Sequence, residues 1–211
     1  MGNGANFWPY VFRTQPIRWL NIRENRLGKD EYLVDRMNHE AVRFIERNRK
    51  RPFFLYLSHY ATHTILNGKP SIVEKYRRKH PPGKSTRKRC YLCQDAGQQG
   101  DPGNHWAPDH NPHLAAMLES IDDGVGMILE KLKELKLDHN TLVVFSSDNG
   151  GESQVTSNAP MRGGKSSLYE GGIRVPLVVR WPAAVPARKT CTTTTSNIDL
   201  NTTILEAAGI T

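Results

Sequence analysis

Two short, uninterrupted apolar runs, each preceded by a segment with helical periodicity, restrict this chain to an α/β fold. Residues 30–48 place apolar side chains three to four positions apart, which predicts an amphipathic helix, and the apolar run 53–57 follows it. Residues 114–135 keep the same helical period and lead to a second apolar run at 141–147. Such continuous runs are typical of strands that are buried on both faces. The sequence therefore predicts a mostly parallel central sheet flanked by helices.

Local signals mark the ends of the remaining elements. Asn111 followed by Pro112 is typical of a helix N-terminus, because asparagine caps free N–H groups and proline has none to cap. Residues 174–182 form a third apolar run, which predicts another strand, and a short strand is expected near residues 17–21. A last helix is predicted to run from Asn197 to a C-terminal cap at Gly209.

The stretch at about 67–110 is predicted to be a loop insertion, and it holds the charge excess of the chain. Its segment Lys69–Arg89 contains nine lysines and arginines against a single acidic residue, which equals the net charge of +8 for all 211 residues. Two interpretations stay open: a solvated charged insertion, or a docking strip for an anionic polymer. Because the rest of the chain is balanced in charge, no nucleic-acid partner is expected.

The cysteines suggest a zinc site, which is a less favoured hypothesis than a loop without metal. Cys90 and Cys93 are followed by His105 and His110 at a spacing close to that of a structural zinc finger. The residues between them lack the apolar side chains that a finger packs around its metal, so a loop without zinc is favoured. No apolar run approaches the roughly 18 residues of a membrane helix, and no signal peptide is visible at the start.

Polar residues whose side chains can bind a metal ion or transfer a proton follow two of the predicted strands. His59 and His63 follow the first run, and Asp148 and Asn149 follow the second. Carboxyl ends of parallel strands share one rim of a sheet, where ligands bind. The oxygens of Asp148 and Asn149 suit Ca²⁺ or Mg²⁺, although Asp-Asn-Gly alone is more often a turn. Lys165, beside a glycine pair, is the candidate donor to a sulfate or phosphate oxygen.

These segments together resemble the sulfatase family, of the alkaline-phosphatase-like superfold. The resemblance rests on residues 143–150 (Val-Val-Phe-Ser-Ser-Asp-Asn-Gly), 161–165 (Met-Arg-Gly-Gly-Lys) and 169–176 (Tyr-Glu-Gly-Gly-Ile-Arg-Val-Pro), with 52–57 and Thr62-His63 upstream. It implies an α/β sandwich in which residues 1–211 form the middle and later part of one catalytic domain. The basic, Cys-containing stretch at about 67–110 would be an insertion in that domain.

The resemblance also implies residue roles. Asp148 and Asn149 are similar to half of a cation site, usually Ca²⁺, with Mg²⁺ as the alternative. Lys165 resembles the lysine that binds the sulfate group. His63 resembles the histidine that contacts the sulfate ester and protonates the leaving alcohol. The implied substrates are small-molecule or glycan sulfate esters, and the family analogy points to a secreted, periplasmic or lysosomal location.

The chain departs from the family pattern at the nucleophile. Sulfatases use a formylglycine made within a Cys-x-Pro-x-Arg type motif, and none of the three cysteines lies in such a motif. The paired N-terminal aspartates of the family's metal site are missing as well. The chain alone is therefore expected to be inactive. Two alternatives remain: a phosphoester or phosphonate hydrolase of the same superfold, because sulfate and phosphate share size and geometry, or an anion-binding pseudoenzyme.

Overall fold

A computed structural model describes residues 6–8, 10–12, 15–18, 22, 24–79, 88–89, 105–106 and 110–210. The five helices of the described part are α1 (Leu33–Asn48), α2 (Pro70–Lys79), α3 (Pro112–Glu134), α4 (Glu170–Ile173) and α5 (Asn197–Ala207), with a 3-10 turn at Asp138–Asn140. Its strands are β1 (Val11–Phe12), β2 (Gln15–Arg18), β3 (Lys88–Arg89), β4 (His105–Trp106), β5 (Val143–Ser146) and β6 (Leu177–Arg180). They pair in sequence order as three antiparallel two-stranded sheets.

The predicted long helices are confirmed, and they form the core. The side-chain Oδ1 of Asn111 accepts hydrogen bonds from the N–H groups of His113 and Leu114, so the predicted N-cap of α3 is present. Helix α1 packs along α3, where the Asn38 Nδ2 donates to the Ser120 carbonyl over 2.9 Å. Gly124 of α3 leaves room for this buried amide, since a Cβ there would overlap the Asn38 side chain. The two helices therefore cross at a point where a glycine allows close approach and a buried amide forms a hydrogen bond between them.

The start of α1 is fixed by a buried carboxylate. Glu31, whose side chain is 0% exposed, accepts hydrogen bonds from the Tyr10 hydroxyl at 2.6 Å and from the Arg36 guanidinium at 3.0 Å. It also accepts from the backbone N–H groups of Arg26 and Leu27, at 2.6 and 2.8 Å. Burial opposes ionisation of Glu31, but these hydrogen bonds and the charge of Arg36 prevail and lower its pKa. The ionised carboxylate thus ties the N-terminal segment to the helical core.

The prediction of buried strands in a mostly parallel sheet is not reproduced by the described residues. Residues 53–57 belong to no helix, strand or sheet, and Phe54 and Tyr56 are 67% and 80% exposed. Strands β5 and β6 pair antiparallel, with Val143 opposite Arg180. An apolar run indicates that a segment favours burial. The direction of a strand and its actual burial depend on the segments that pack against it in the fold. The α/β class is confirmed, and the parallel sheet is not.

The stretch at 67–110 is not a simple loop, because it contains α2. Val73 of this helix is buried against α3, and Gly68 lies so close to Ala116 that a Cβ there would be 2.7 Å from the alanine Cβ. The high density of lysine and arginine concealed this helix in the sequence pattern. Cys90 and Cys93 lie outside the described residues, so the zinc hypothesis stays a prediction. No helix in the described part of the chain is both long and apolar enough to span a bilayer.

The Glu31 network generates a stability prediction. Because the folded-state pKa of Glu31 lies below its ordinary 4.5, the network stabilises the fold above that pH. This stability is lost as the pH falls through the lower, folded-state value. Glu31→Gln should lower the free energy of unfolding by about 3 kcal/mol at neutral pH, since Arg36 loses its buried partner, and should flatten its acid dependence in urea titrations. Exposed Glu46→Gln is the matched control, and an equal effect of both changes would contradict the assignment.

Candidate functional site

The turn after β5 packs backbone against backbone onto two later glycine pairs; we refer to residues 150–151, 163–164 and 171–172 as the glycine cluster. The Gly150 N–H donates to the Gly172 carbonyl at 2.9 Å, and the Gly171 N–H donates to the Arg162 carbonyl at 2.8 Å. A Cβ on Gly150 would overlap the Gly171 carbonyl oxygen. The sequence analysis associated the glycine pair beside Lys165 with binding of a sulfate or phosphate oxygen. In the structure, the glycines allow backbones to touch each other.

Asp148 and Asn149 emerge from β5 immediately before the glycine cluster. The Ser147 hydroxyl donates to the Asn149 carbonyl at 2.8 Å, and the Asn149 Nδ2 donates to the Gly150 carbonyl at 2.9 Å. These bonds leave the Asn149 Oδ1 without a hydrogen-bond donor among the described residues. The Asp148 carboxylate is exposed and makes no hydrogen bond or ion pair with any residue in the described ranges. Two adjacent oxygen ligands are therefore available at this turn.

This donor set suits a hard cation in its chemistry and supplies part of a coordination shell. Ca²⁺ takes six to eight oxygen ligands from carboxylates, amide carbonyls and water. Asp148 and Asn149 provide one ligand of each protein type. Within the described residues, no group of three or more His, Cys, Asp or Glu side chains is placed to hold a metal ion. The two residues supply oxygen ligands of the expected kinds, and the half-site for a cation that the resemblance implies stays a prediction.

Lys165 is brought to the same turn by a backbone clamp. Its N–H donates to the Gly151 carbonyl at 3.0 Å. The Asn158 side chain also binds Gly151: it accepts a hydrogen bond from the Gly151 N–H and donates one to the Gly151 carbonyl, both at 2.9 Å. The Lys165 ammonium forms no ion pair with a described residue, so its charge is available to an anion. The structure thus places Lys165 beside the turn that carries Asp148 and Asn149.

His63 lies on a separate turn, after the apolar run 53–57. Its N–H donates to the Tyr60 carbonyl at 2.9 Å, and its exposed ring stacks on the Tyr60 ring with 5.1 Å between centroids. The structure describes all four predicted site residues, and it shows no hydrogen bond between His63 and Asp148, Asn149 or Lys165. The neighbouring His59 is half-buried, and burial lowers its pKa, which is consistent with a structural role.

The two turns share one hydrophobic anchor. Ala61 and Leu66, on either side of His63, belong to a buried cluster that also contains Met117 of α3. Val155 joins the same cluster from the loop that follows the glycine cluster's first pair. The His63 turn and the Asp148 turn are therefore both attached to the helical core, although their polar side chains do not touch.

Sequence reasoning missed three residues that shape the site. Asn158 clamps Gly151, Val155 anchors the loop, and Tyr60 supports His63. Asn158 carries no pattern of its own, because its role depends on contacts across the loop. Arg162 is also occupied by a contact that spacing does not predict: its guanidinium lies 3.9 Å from the centroid of the Tyr169 ring.

The described part of the basic segment is largely paired with acidic residues. Lys69 binds Asp35 at 2.7 Å. Lys75 binds Glu119 at 2.6 Å, and Arg78 lies 3.2 Å from Glu74. Over residues 69–79 this pairing favours the interpretation of a charged segment that is satisfied within the protein. Residues 80–87 lie outside the described residues, so the docking-strip hypothesis for Lys69–Arg89 remains a prediction.

The sequence model of the sulfatase family matches residues 4–210. The chain therefore belongs to the sulfatase family. It is 34% identical over 186 residues to human steryl-sulfatase, which covers 84% of this chain and 26% of that protein. It is also 34% identical over 179 residues to canine N-acetylgalactosamine-6-sulfatase, covering 81% and 28% of the two proteins.

A solved structure supports the same fold. The crystal structure of Ps i-CgsB in complex with k-i-k-neocarrahexaose is similar with a TM-score of 0.69 and 33% identity, covering 93% of this chain and 39% of that chain. The fold is thus that of sulfatases, with the alkaline-phosphatase-like architecture. The chain spans about a quarter of the length of the curated relatives that it matches, and about two fifths of this solved chain.

The glycine cluster predicts which glycines tolerate a methyl group. Gly150→Ala should lower the free energy of unfolding by about 2 kcal/mol, since the Cβ must displace the Gly171 carbonyl. Gly126→Ala in α3 is the matched control: a Cβ there meets nothing within 4 Å, so alanine should stabilise the helix by up to about 1 kcal/mol. Urea unfolding of both variants tests this. A neutral effect of Gly150→Ala would show that the backbone packing is not required.

Proposed function

We propose that the protein containing this chain hydrolyses sulfate esters, and that Asp148, Asn149, Lys165 and His63 form part of its active site. The observation that carries the proposal is the placement of three of these residues, all but His63, around the glycine cluster of a sulfatase-family chain. The available oxygen ligands lie on this turn, and the backbone of Lys165, whose ammonium forms no ion pair with a described residue, is hydrogen-bonded to it. Such an arrangement suits a tetrahedral anion whose oxygens need both a cation and a hydrogen-bond donor.

The proposed roles follow from the charges. Cleavage of a sulfate ester moves negative charge onto the sulfate oxygens and the leaving oxygen. Lys165 would neutralise charge on a sulfate oxygen, since no acidic residue of the described part competes for its ammonium. A Ca²⁺ ion, or Mg²⁺ as the alternative, held by Asp148 and Asn149 would supply further positive charge. His63 would donate a proton to the leaving alcohol.

We further propose that residues 1–211 are the middle and later part of a single catalytic domain. The relatives are about four times as long as the matched region, and the described part exposes large apolar side chains at several elements. These include Phe54, Tyr56, Leu168, Val178 and Ile198. Exposed apolar side chains of this size are the positions where further parts of a sulfatase domain would pack.

The 211 residues contain no Cys-x-Pro-x-Arg motif, so we propose that a formylglycine nucleophile is supplied from outside them. On this account the chain alone does not turn over a sulfate ester. Metal-dependent hydrolysis of an aryl sulfate by the purified 211-residue chain would contradict this part of the proposal. Binding of an aryl sulfate by the longer protein, with no turnover in Ca²⁺, would instead support the pseudoenzyme alternative.

Sulfated glycans are the proposed substrate class. The solved structure similar to this chain holds a neocarrahexaose, and one relative is named for sulfated N-acetylgalactosamine. Another relative is named for a steryl sulfate, so the alcohol of the substrate is the least constrained part of the proposal. Phosphoester or phosphonate hydrolysis is the alternative that the same residues would support, since Lys165 and His63 could act on either tetrahedral anion.

Lys165 provides the sharpest kinetic prediction. In the longer protein that combines this chain with a nucleophile segment, Lys165→Ala should lower kcat/KM for an aryl sulfate by about 10²- to 10³-fold, as expected for loss of a charge-stabilising group. Exposed Lys133→Ala, on α3, is the control and should leave the rate unchanged. A parallel assay with an aryl phosphate distinguishes the alternatives. A preference for phosphate in the unmodified protein would contradict the proposed function.

A further inference from the structure

The His63 ring is held by two neighbours in its own turn. Its Nδ1 atom lies 2.5 Å from the carbonyl oxygen of Thr64 and 3.3 Å from the hydroxyl oxygen of Tyr60. The rings of His63 and Tyr60 are stacked, with 5.1 Å between centroids and 24° between planes. One nitrogen is thus engaged within the turn, and one face of the ring is covered.

The contact with Thr64 determines which ring nitrogen carries the proton. A backbone carbonyl has no hydrogen to donate, so the Nδ1 atom must be the donor in this hydrogen bond. The bond made by one ring nitrogen sets the protonation of the other. In the neutral ring, Nε2 therefore carries no proton. In the cation, both nitrogens are protonated, and the turn hydrogen-bonds the Nδ1 proton but not the Nε2 proton.

Tyr60 restrains the orientation in which Nε2 is presented. Its ring limits rotation of the imidazole. Its hydroxyl oxygen is near enough to be a second acceptor of the Nδ1–H in a bifurcated hydrogen bond. Burial raises the pKa of Tyr60, so this hydroxyl stays protonated and neutral at physiological pH. The stack therefore limits the ring rotations that would break the contact between Nδ1 and the Thr64 carbonyl.

We propose that Tyr60 is a positioning residue that, together with the Thr64 carbonyl, holds His63 in the Nδ1–H tautomer and makes Nε2 the proton-exchanging atom. The reactive role rests on the proposed function, whereas the tautomer rests on the geometry of the turn alone. In the reaction, an oxygen nucleophile bonds to sulfur as the bond from sulfur to the leaving oxygen breaks. The leaving oxygen takes the electron pair and the Nε2 proton, and His63 becomes neutral.

The tautomer can be measured on the 211-residue chain. Long-range ¹H–¹⁵N spectra of histidine-labelled protein, recorded where His63 is neutral, report which ring nitrogen is protonated. The His63 signals are identified by their loss in His63→Gln. We expect a protonated Nδ1 and a bare Nε2, the reverse of the tautomer that free histidine favours. A protonated Nε2 in neutral His63 would overturn the proposal.

Substitutions at Tyr60 test the positioning role. Tyr60→Phe keeps the stack and should retain the tautomer. Tyr60→Leu removes the stack and should lower the Nδ1–H population relative to the other tautomer by about twofold or more, as expected from the strength of a ring contact. Tyr56→Leu is the matched control, because Tyr56 is exposed and makes no contact with His63. A Tyr60→Leu spectrum identical to that of the unmodified chain would contradict the role of Tyr60.

The reactive role is tested separately in the longer protein that turns over sulfate esters. Tyr60→Leu should lower kcat more for an alkyl sulfate than for 4-nitrophenyl sulfate, because a nitrophenolate leaves without needing a proton. Equal losses on both substrates would overturn the proton-transfer role. If the tautomer is as expected but no sulfate ester is hydrolysed, the proposed function fails and the reactive role fails with it, while the assignment of the tautomer stands.

Discussion

Backbone packing in the glycine cluster is the constraint on which the candidate site depends. The turn that carries Asp148 and Asn149 is not held by its own hydrogen bonds alone; it is pressed against Gly171 and Gly172 and clamped by Asn158. Any side chain at Gly150 would force these backbones apart. Asp148, Asn149 and the backbone of Lys165 keep their relative positions because several backbone segments meet without intervening side chains. Such preorganisation is what charge stabilisation in an active site requires.

The helical core connects this turn to the rest of the molecule. Val155 reaches from the loop after the first glycine pair into a cluster with Met117 of α3, and Ala61 reaches the same cluster from the His63 turn. Helix α3 is in turn held against α1 by the buried Asn38 amide and by the space at Gly124. The two turns that carry the candidate residues are thus attached to one hydrophobic cluster, while their polar side chains form no hydrogen bond with each other.

Local sequence signals predicted the elements whose stability is local. Helices α1, α3 and α5 were predicted because their periodicity and caps lie within each segment, and Asn111 caps α3 as expected. Helix α2 was missed, since its single buried apolar residue, Val73, is surrounded by charge. The mostly parallel sheet of buried strands is not reproduced by the described residues, because strand direction and burial depend on partners distant in sequence. The four candidate site residues were predicted from strand ends, a glycine pair and the family resemblance, whereas the clamp by Asn158 and the support from Tyr60 arise only from contacts in three dimensions.

The central claim is that an anion binds at the turn that carries Asp148 and Asn149, beside Lys165. Titration of inorganic sulfate into the ¹⁵N-labelled chain, with Ca²⁺ present, tests this claim most directly through amide chemical shifts. The account predicts saturable shifts at residues 148–151 and at Lys165, and their loss in Lys165→Ala. Shifts confined to the basic helix α2, at residues 70–79, would contradict it and would assign anion binding to the charged segment instead.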